Sequence, residues 1–332
     1  MSFSDIKGQA RAISLLQGYI ENKKLEGGYL FIGAEGIGKK LVAKTLAKVV
    51  NCQADSVDSC EKCPSCLKIE KNQHPDVFTI DASLPAQEGA KAPDSSANVI
   101  KIDHIRQLQR DINLRPYEGR SKVFIIDDAH NLTAEASNAL LKILEEPPRN
   151  SLIILTTSKP ELLFKTVVSR CKVIRFYPAK RPELEEIFES DYKLEKDKAH
   201  FLAYFSEGRI GRALSLKETG IFVERDKAVD KFVFTAKPDF ENVLAQKKEC
   251  IENYLNILAA WFRDVYLIKA GLPSVEIINL DRKQDLLKLK DKFTFADLDR
   301  VLNSISDSVL SLEQNMNPKL VLYNLGAQLW KA

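Results

Sequence analysis

The sequence has 332 residues, enough for two to three domains with a sizeable core, and its 45% hydrophobic and 29% charged content excludes the disordered, collagen-like and disulfide-scaffold classes. Lys and Arg total 49 against 46 Asp and Glu, so the formal charge of +3 carries no global basic character and any nucleic-acid contact must be a local patch. The opening MSFSDIKGQARAISLLQGYIENKK has no apolar run of signal-peptide length, and no later run approaches the roughly 18 apolar residues of a membrane span, so a cytoplasmic chain with reduced cysteines is expected.

The first expected strand is the apolar run at 29–32, and a helical pattern follows at 40–50. Between them lies GAEGIGKK, Gly33 to Lys40, in the strand–loop–helix context that a phosphate-binding loop requires. Gly33, Gly36 and Gly38 let successive N–H groups curl around an anion, the helix N-terminus adds its partial positive charge, and Lys39 would reach the terminal phosphates. The pattern G-x-x-x-x-G-K-[ST] ends on a hydroxyl that ligates Mg²⁺, whereas this loop ends on Lys40, a cation that cannot ligate a metal. A nucleotide site with ATP and Mg²⁺ and a ligand-free turn of the same shape both stay open.

Beyond that helix, Cys52, Cys60, Cys63 and Cys66 fall in the spacing C-x7-C-x2-C-x2-C. Two-residue gaps let neighbouring sulfurs converge on one ion, and four thiolates suit a closed, structural Zn²⁺ site. Cys171 and Cys250 are isolated and are read as small core residues.

Further strands are expected at 77–80, 123–127, 152–157 and 173–176, alternating with helical patterns, which predicts an α/β domain with a parallel sheet. The small, polar, Pro- and Gly-containing stretch 82–98 reads as a surface loop, and Ile102, Ile105, Leu108 and Ile112 follow helical spacing behind Asp103 as a candidate cap. Run 123–127 ends in Asp127-Asp128, where the first acid of a nucleotide hydrolase would hold Mg²⁺ and a Glu would orient the attacking water. Asp128 is one methylene shorter than that Glu, a second departure in one site. A helix is expected at 134–144. After Phe176 charged amphipathic helices take over, across 181–217 and then 221–332. Asn317-Pro318 supplies a cap and first-turn proline for a last helix with Leu322, Leu325 and Leu329 on one face.

Taken together these motifs resemble the AAA+ clamp-loader subunits of the bacterial replicative DNA polymerase III. The resemblance rests on FSDIKGQ (3–9), GAEGIGKK, the inserted cysteines, IDDAH (126–130), NALLKILEEPP (138–148), TTSKPELL (156–163), SRC (169–171), GRIGRAL (208–214) and NMNPKLVLYNL (315–325), nearly end to end. It implies an AAA+ P-loop domain with its zinc module over 1–177, a small helical lid over 178–219 and an all-α collar over 220–332. It also implies a place among motor and delta-type subunits in a heteropentameric ring that loads the sliding clamp on primer-template DNA.

On this resemblance Arg170 of SRC is the arginine finger supplied in trans to a neighbouring ATPase, Thr157 matches the first sensor with Thr156 beside it, and Arg212 matches the sensor arginine of the lid. Gln9 resembles the segment that covers the adenine. The departures at Lys40 and Asp128 suit the branch of the family whose own ATPase site is impaired. A working motor subunit is the alternative, and a zinc-containing small-molecule P-loop kinase is a more distant one. Arg106 and Arg110 are read as a solvated helix face. Of the histidines His74, His104, His130 and His200, only His130 lies near the expected chemistry.

Overall fold

The computed structural model describes residues 1–54, 56–82, 99–232, 248–272, 277–314 and 316–329. The expected surface loop from residue 83 to 98, and the side chains of Cys250 and Leu329, lie outside the described residues.

Runs rich in Val, Ile, Leu and Phe fit the middle of a sheet covered on both faces, and here they form one all-parallel sheet. Its strands are β1 (Gly27–Ile32), β2 (Val77–Ile80), β3 (Lys122–Ile126), β4 (Ser151–Thr157) and β5 (Cys171–Arg175), in spatial order β2-β3-β4-β1-β5. All five residues of β3 and all seven of β4 are buried. Strand alternation sends Tyr29 and Phe31 to one face and Leu30 to the other. The first face packs on Leu16 of α1 (Ala10–Glu21) and on Val42 and Leu46 of α2 (Lys39–Asn51). After the short α3 (Pro64–Glu70), α4 (Ile102–Ile112) and α5 (Ala134–Glu145) cover the second face with Ile105, Leu108, Leu140 and Ile143. The expected parallel α/β sheet is therefore present.

Register fixes what the strand ends carry. Ile80 pairs with Ile126, and Ile32 pairs with Thr157. Asp81, Asp127, Thr157 and Gly33 consequently emerge along one edge, the carboxyl edge at which ligands of open parallel sheets bind.

Asp103 is not the cap of α4. Lys101 holds that position, while Asp103 sits in the first turn, where its charge suits the positive end of the helix and pairs with Arg106 at 3.3 Å.

Compactness divides the chain into two units, one of Met1–Glu183 with Gly208–Arg212, the other of Leu184–Glu207 with Ala213–Ala332. After α6 (Lys165–Val168) and β5 the described residues form helices without further strands: α7 (Arg181–Ser190), α8 (Lys196–Phe205), α9 (Ile210–Glu218), α10 (Ile221–Phe232), α11 (Lys248–Lys269), α12 (Lys283–Lys290), α13 (Phe295–Glu313) and α14 (Pro318–Leu329). In the second unit the fully buried Asp264 of α11 accepts bonds from the Ile278 and Asn279 N–H groups and from Asn279 Nδ2. Thr294 and Asp297 cap α13 reciprocally. As expected, Asn317 precedes α14, where its Oδ1 accepts from Lys319 N at 2.9 Å. No helix among the described residues is long and apolar enough to cross a membrane.

Asp76 anchors the first unit below the sheet. Its carboxylate is fully buried and accepts the N–H groups of Tyr117, Glu118 and Gly119 at 2.7, 2.8 and 2.7 Å. Burial alone would raise its pKa, but these three bonds outweigh burial and hold it below 3.8. Asp76→Ala should therefore destabilise the chain by roughly 2–4 kcal/mol, since three donors lose a charged acceptor. The sign with pH follows from the depressed pKa: the contribution is complete above about pH 4 and fades as pH falls through the folded value. Urea unfolding from pH 7 to pH 3 should thus show the gap between wild type and Asp76→Ala narrowing on acidification.

Candidate functional site

The loop after β1 turns into α2 through two left-handed glycines. Gly36 and Gly38 adopt φ of +71° and +104°, a region other residues enter at a cost. A Cβ on Gly36 would stand 3.0 Å from the Arg212 backbone nitrogen, so the loop also rests closely on the start of α9. The buried Lys39 folds its Nζ onto the Gly33 and Ala34 carbonyls, at 2.7 and 2.9 Å. Burial lowers its pKa against the pull of Asp128 and Asp127.

Lys40 is the departure that matters. Its Nζ lies 2.9 Å from Asp127 Oδ2 and 3.7 Å from an oxygen of Asp81. Burial works to lower its pKa, but the hydrogen bond and charge of Asp127, joined by Asp81, raise it overall. The other Asp127 oxygen accepts the Thr156 hydroxyl at 2.6 Å. The residue standing at the hydroxyl position is therefore an ammonium bound to the acid that would hold Mg²⁺, and this donor set does not fit a divalent ion.

Asp128 sits in the left-handed region at φ +49°, a strained place for a non-glycine residue, with its N–H on Thr156 Oγ1 at 3.2 Å. Burial and then the neighbouring Asp127 charge raise its pKa. The two candidate sensor hydroxyls divide by strand parity: Thr156 holds Asp127 and Asp128, while Thr157 faces His130 Nδ1 at 3.2 Å. Gln9 donates to the Tyr177 carbonyl at 3.0 Å and packs at the loop's flank beside Ile37. Gly33, Gly36, Gly38, Lys39, Lys40, Asp127, Asp128, Thr157 and Arg212 all belong to the first unit.

Arg170 lies between α6 and β5, remote in sequence from the loop and partly exposed. Its Nε and Nη2 both meet Glu145 Oε1, at 2.8 and 2.5 Å, and Nη1 donates to the Thr166 carbonyl at 2.9 Å. Glu145, the last residue of α5, was not singled out from the sequence, and neither was Asp81. Position was the only available signal: Asp81 follows a strand as Asp127 does, and Glu145 lies in LLKILEEPP.

The four cysteines do converge. The Sγ atoms of Cys52, Cys60, Cys63 and Cys66 all lie within 4.8 Å of one another, and they could hold a metal ion. Sulfurs about 2.3 Å from a tetrahedral zinc stand roughly 3.8 Å apart, so the cluster fits that geometry. Backbone N–H groups of Cys60, Cys63 and Cys66 point at the sulfurs of Cys52, Cys60 and Cys63, at 3.4, 3.4 and 3.5 Å. The N–H groups of Lys62 and Cys63 bring the Cys60 thiol down to about 6, whereas burial pushes the Cys52 and Cys66 thiols up. Cys171 is half-buried against the sheet, its thiol pushed up to about 12 by burial, in keeping with a packing role. The other histidines serve structure: His74 meets Ser65 at 3.1 Å, the ring of His104 accepts from Lys101 N, and His200 bridges Glu185 and the Ile277 carbonyl.

Residues 8–180 match the family described as DNA polymerase III, delta subunit, and residues 224–329 match DNA polymerase III, delta subunit, C terminal. The chain is 29% identical over 324 residues to DNA polymerase III subunit delta' of Bacillus subtilis, covering 96% of this chain and 90% of the relative. It is 32% identical over 226 residues to DNA polymerase III subunit tau of Escherichia coli, covering 66% of this chain but 33% of the tau chain, so it spans a third of that relative's length. Among solved structures, a DNA polymerase III gamma subunit-related protein from Thermotoga maritima aligns with 96% of this chain and 99% of its own at 20% identity and a TM-score of 0.45.

Proposed function

The chain belongs to the DNA polymerase III delta-subunit family, and from that premise we propose that it is the delta-prime-type subunit of a clamp loader, a stator that donates Arg170 to a neighbouring ATPase while its own site does not hydrolyse ATP. The observation that carries this reading is the 2.9 Å ion pair between Lys40 and Asp127. Phosphoryl transfer to water needs a metal ion to bridge the phosphates and a side chain that orients the water, a Glu in ATPases of this pattern. In this chain the metal-holding acid is bound by a side-chain ammonium, and the water-orienting Glu is replaced by the shorter Asp128 in a strained turn. These features weigh against the motor-subunit alternative.

On this reading residues 1–177 are the AAA+ domain, 178–219 the lid and 220–332 the collar through which five subunits associate in the cytoplasm. Arg170 completes the partner's site, because a guanidinium is always charged and grips phosphate oxygens in a fork. Zn²⁺ on Cys52, Cys60, Cys63 and Cys66 holds the insert together, without an open coordination position for chemistry. The sliding clamp and primer-template DNA are engaged by the assembled ring, with DNA tracked through its phosphates.

Native mass spectrometry of the full chain mixed with motor and delta-type subunits tests the placement. One copy in a five-subunit assembly is the expected result. Failure to enter the assembly, or entry in several copies replacing motor subunits, would overturn it.

A further inference from the structure

Two strand ends and one helix start meet around a single side-chain nitrogen. Asp127 follows β3, and its Oδ1 accepts the Thr156 hydroxyl at 2.6 Å, which sets the carboxylate plane and turns Oδ2 toward α2. That oxygen meets Lys40 Nζ at 2.9 Å, and Asp81, following the neighbouring strand β2, meets the same nitrogen at 3.7 Å. In a nucleotide-hydrolysing loop of this pattern, the place between the residue after the loop lysine and the acid after the strand belongs to the divalent ion.

We propose that the Lys40 ammonium is a resident cation standing in the metal's place, so that this loop takes a polyphosphate of the nucleoside-triphosphate class without a divalent ion. The proposal deepens the reading of the site as non-hydrolysing and rests on it. The chemistry of the two cations is the argument. An ammonium carries one positive charge and donates three hydrogen bonds, so it can satisfy Asp127 and Asp81 and still direct a third N–H at a phosphate oxygen. It has no empty orbital for a water or phosphate lone pair and does not act as a Lewis acid, so it neutralises charge without activating the γ-phosphate. Being covalently tethered, it is also indifferent to chelators. Two adjacent lysines then divide the work: Lys39, whose Nζ rests on the Gly33 and Ala34 carbonyls, must exchange them for a phosphate oxygen inside the loop, and Lys40 meets the ligand from the acid side.

The test is calorimetry of the full chain with ATP, in excess Mg²⁺ and in EDTA, for wild type, Lys40→Ser and Lys40→Thr, the two residues that restore the loop pattern. Wild-type affinity should change less than about twofold between the two conditions, and both variants should bind at least about tenfold more tightly in Mg²⁺ than in EDTA. Mn²⁺ with ATP, read by electron paramagnetic resonance, gives a second measure, with protein-dependent broadening expected for the variants alone. A wild type that binds ATP in neither condition overturns the metal-free polyphosphate site, even beside variants that gain Mg²⁺-dependent binding. Wild-type binding that is tenfold tighter in Mg²⁺ overturns it, as do variants of unchanged thermal midpoint that show no metal dependence. The stator reading fails separately, through the assembly measurement above.

Discussion

Arg170→Ala should leave the multi-subunit complex assembled and lower its DNA-stimulated ATP hydrolysis by at least the share of the one site that Arg170 completes, with the fall in kcat and little change in KM. An arginine supplied in trans stabilises charge that develops on the transferring phosphoryl group, and such a finger is worth roughly 10³–10⁵ at the site it completes. The complex as a whole loses less, because its other sites keep their own fingers.

The geometry of Arg170 suits that task. Glu145 Oε1 takes the Nε–Nη2 side of the guanidinium and the Thr166 carbonyl takes one Nη1 hydrogen, so the group is oriented before any partner arrives. Arg170 and Glu145 side chains are 33% and 50% exposed, and an ion pair of that kind is worth about 0–1 kcal/mol. Turning the guanidinium from Glu145 toward a partner's phosphate therefore costs little. Arg170→Lys should behave nearly as Ala does, because a point charge on a flexible stem cannot reproduce the planar fork. Steady-state phosphate release from the reconstituted complex checks both variants. A rate equal to wild type for Arg170→Ala would remove the finger assignment, while assembly by native mass would remain to support the stator role.

What was legible in the sequence, and what was not, follows from the range of the interactions involved. Strands β1 to β5 could be read because each is a local run of β-branched and aromatic residues, and the cysteine cluster because its spacing is itself local. Lys40 was legible as a departure, since a motif names the residue type each position needs. Its partners were not. Asp81 and Asp127 are brought together only by the pairing of β2 with β3, which places Ile80 beside Ile126. Glu145 reaches Arg170 across the turn and strand that separate α5 from α6, a contact no periodicity announces. Asp103 misled because an acidic residue favours both the cap and the first turn, and the backbone chose the second. Thr156 and Thr157 are adjacent in sequence and opposite in direction, so only the strand's orientation says which of them holds Asp127.

Metal removal should have the second large effect, on the whole first unit rather than on the cysteine insert alone. The cluster is built inward: Cys52 and Cys66 are fully buried, while Cys60 and Cys63 are half-buried. Around it, buried Lys48 of α2 pairs with Glu61 at 2.8 Å and Glu70 at 2.5 Å, so both sides of the insert are tied to the helix that starts at the phosphate loop. Asp58 in the same insert accepts the N–H groups of Phe3 and Ser4, at 2.7 and 3.1 Å. Phe3 in turn belongs to the core face formed with α1 and α2. A closed four-thiolate zinc site contributes folding free energy directly, about 10 kcal/mol in isolated zinc-finger peptides. Even a third of that, lost here, would lower the melting midpoint by roughly 10 °C for a unit of this size. Cys66→Ser, which puts a hydroxyl in place of a buried thiol of the cluster, should lower metal content and reproduce the effect of a chelator. The accompanying signature is local: amide hydrogen exchange at Phe3 and Ser4 should rise together with exchange across the insert, because Asp58 can hold that segment only while the cysteines hold Asp58. One zinc per chain by elemental analysis, a fall in the midpoint with chelator and faster exchange at Phe3 are the expected results. An unchanged midpoint and unchanged Phe3 protection after complete metal removal would mean that the Lys48 ion pairs suffice on their own, and that the four thiols are not the element that fixes this end of the domain.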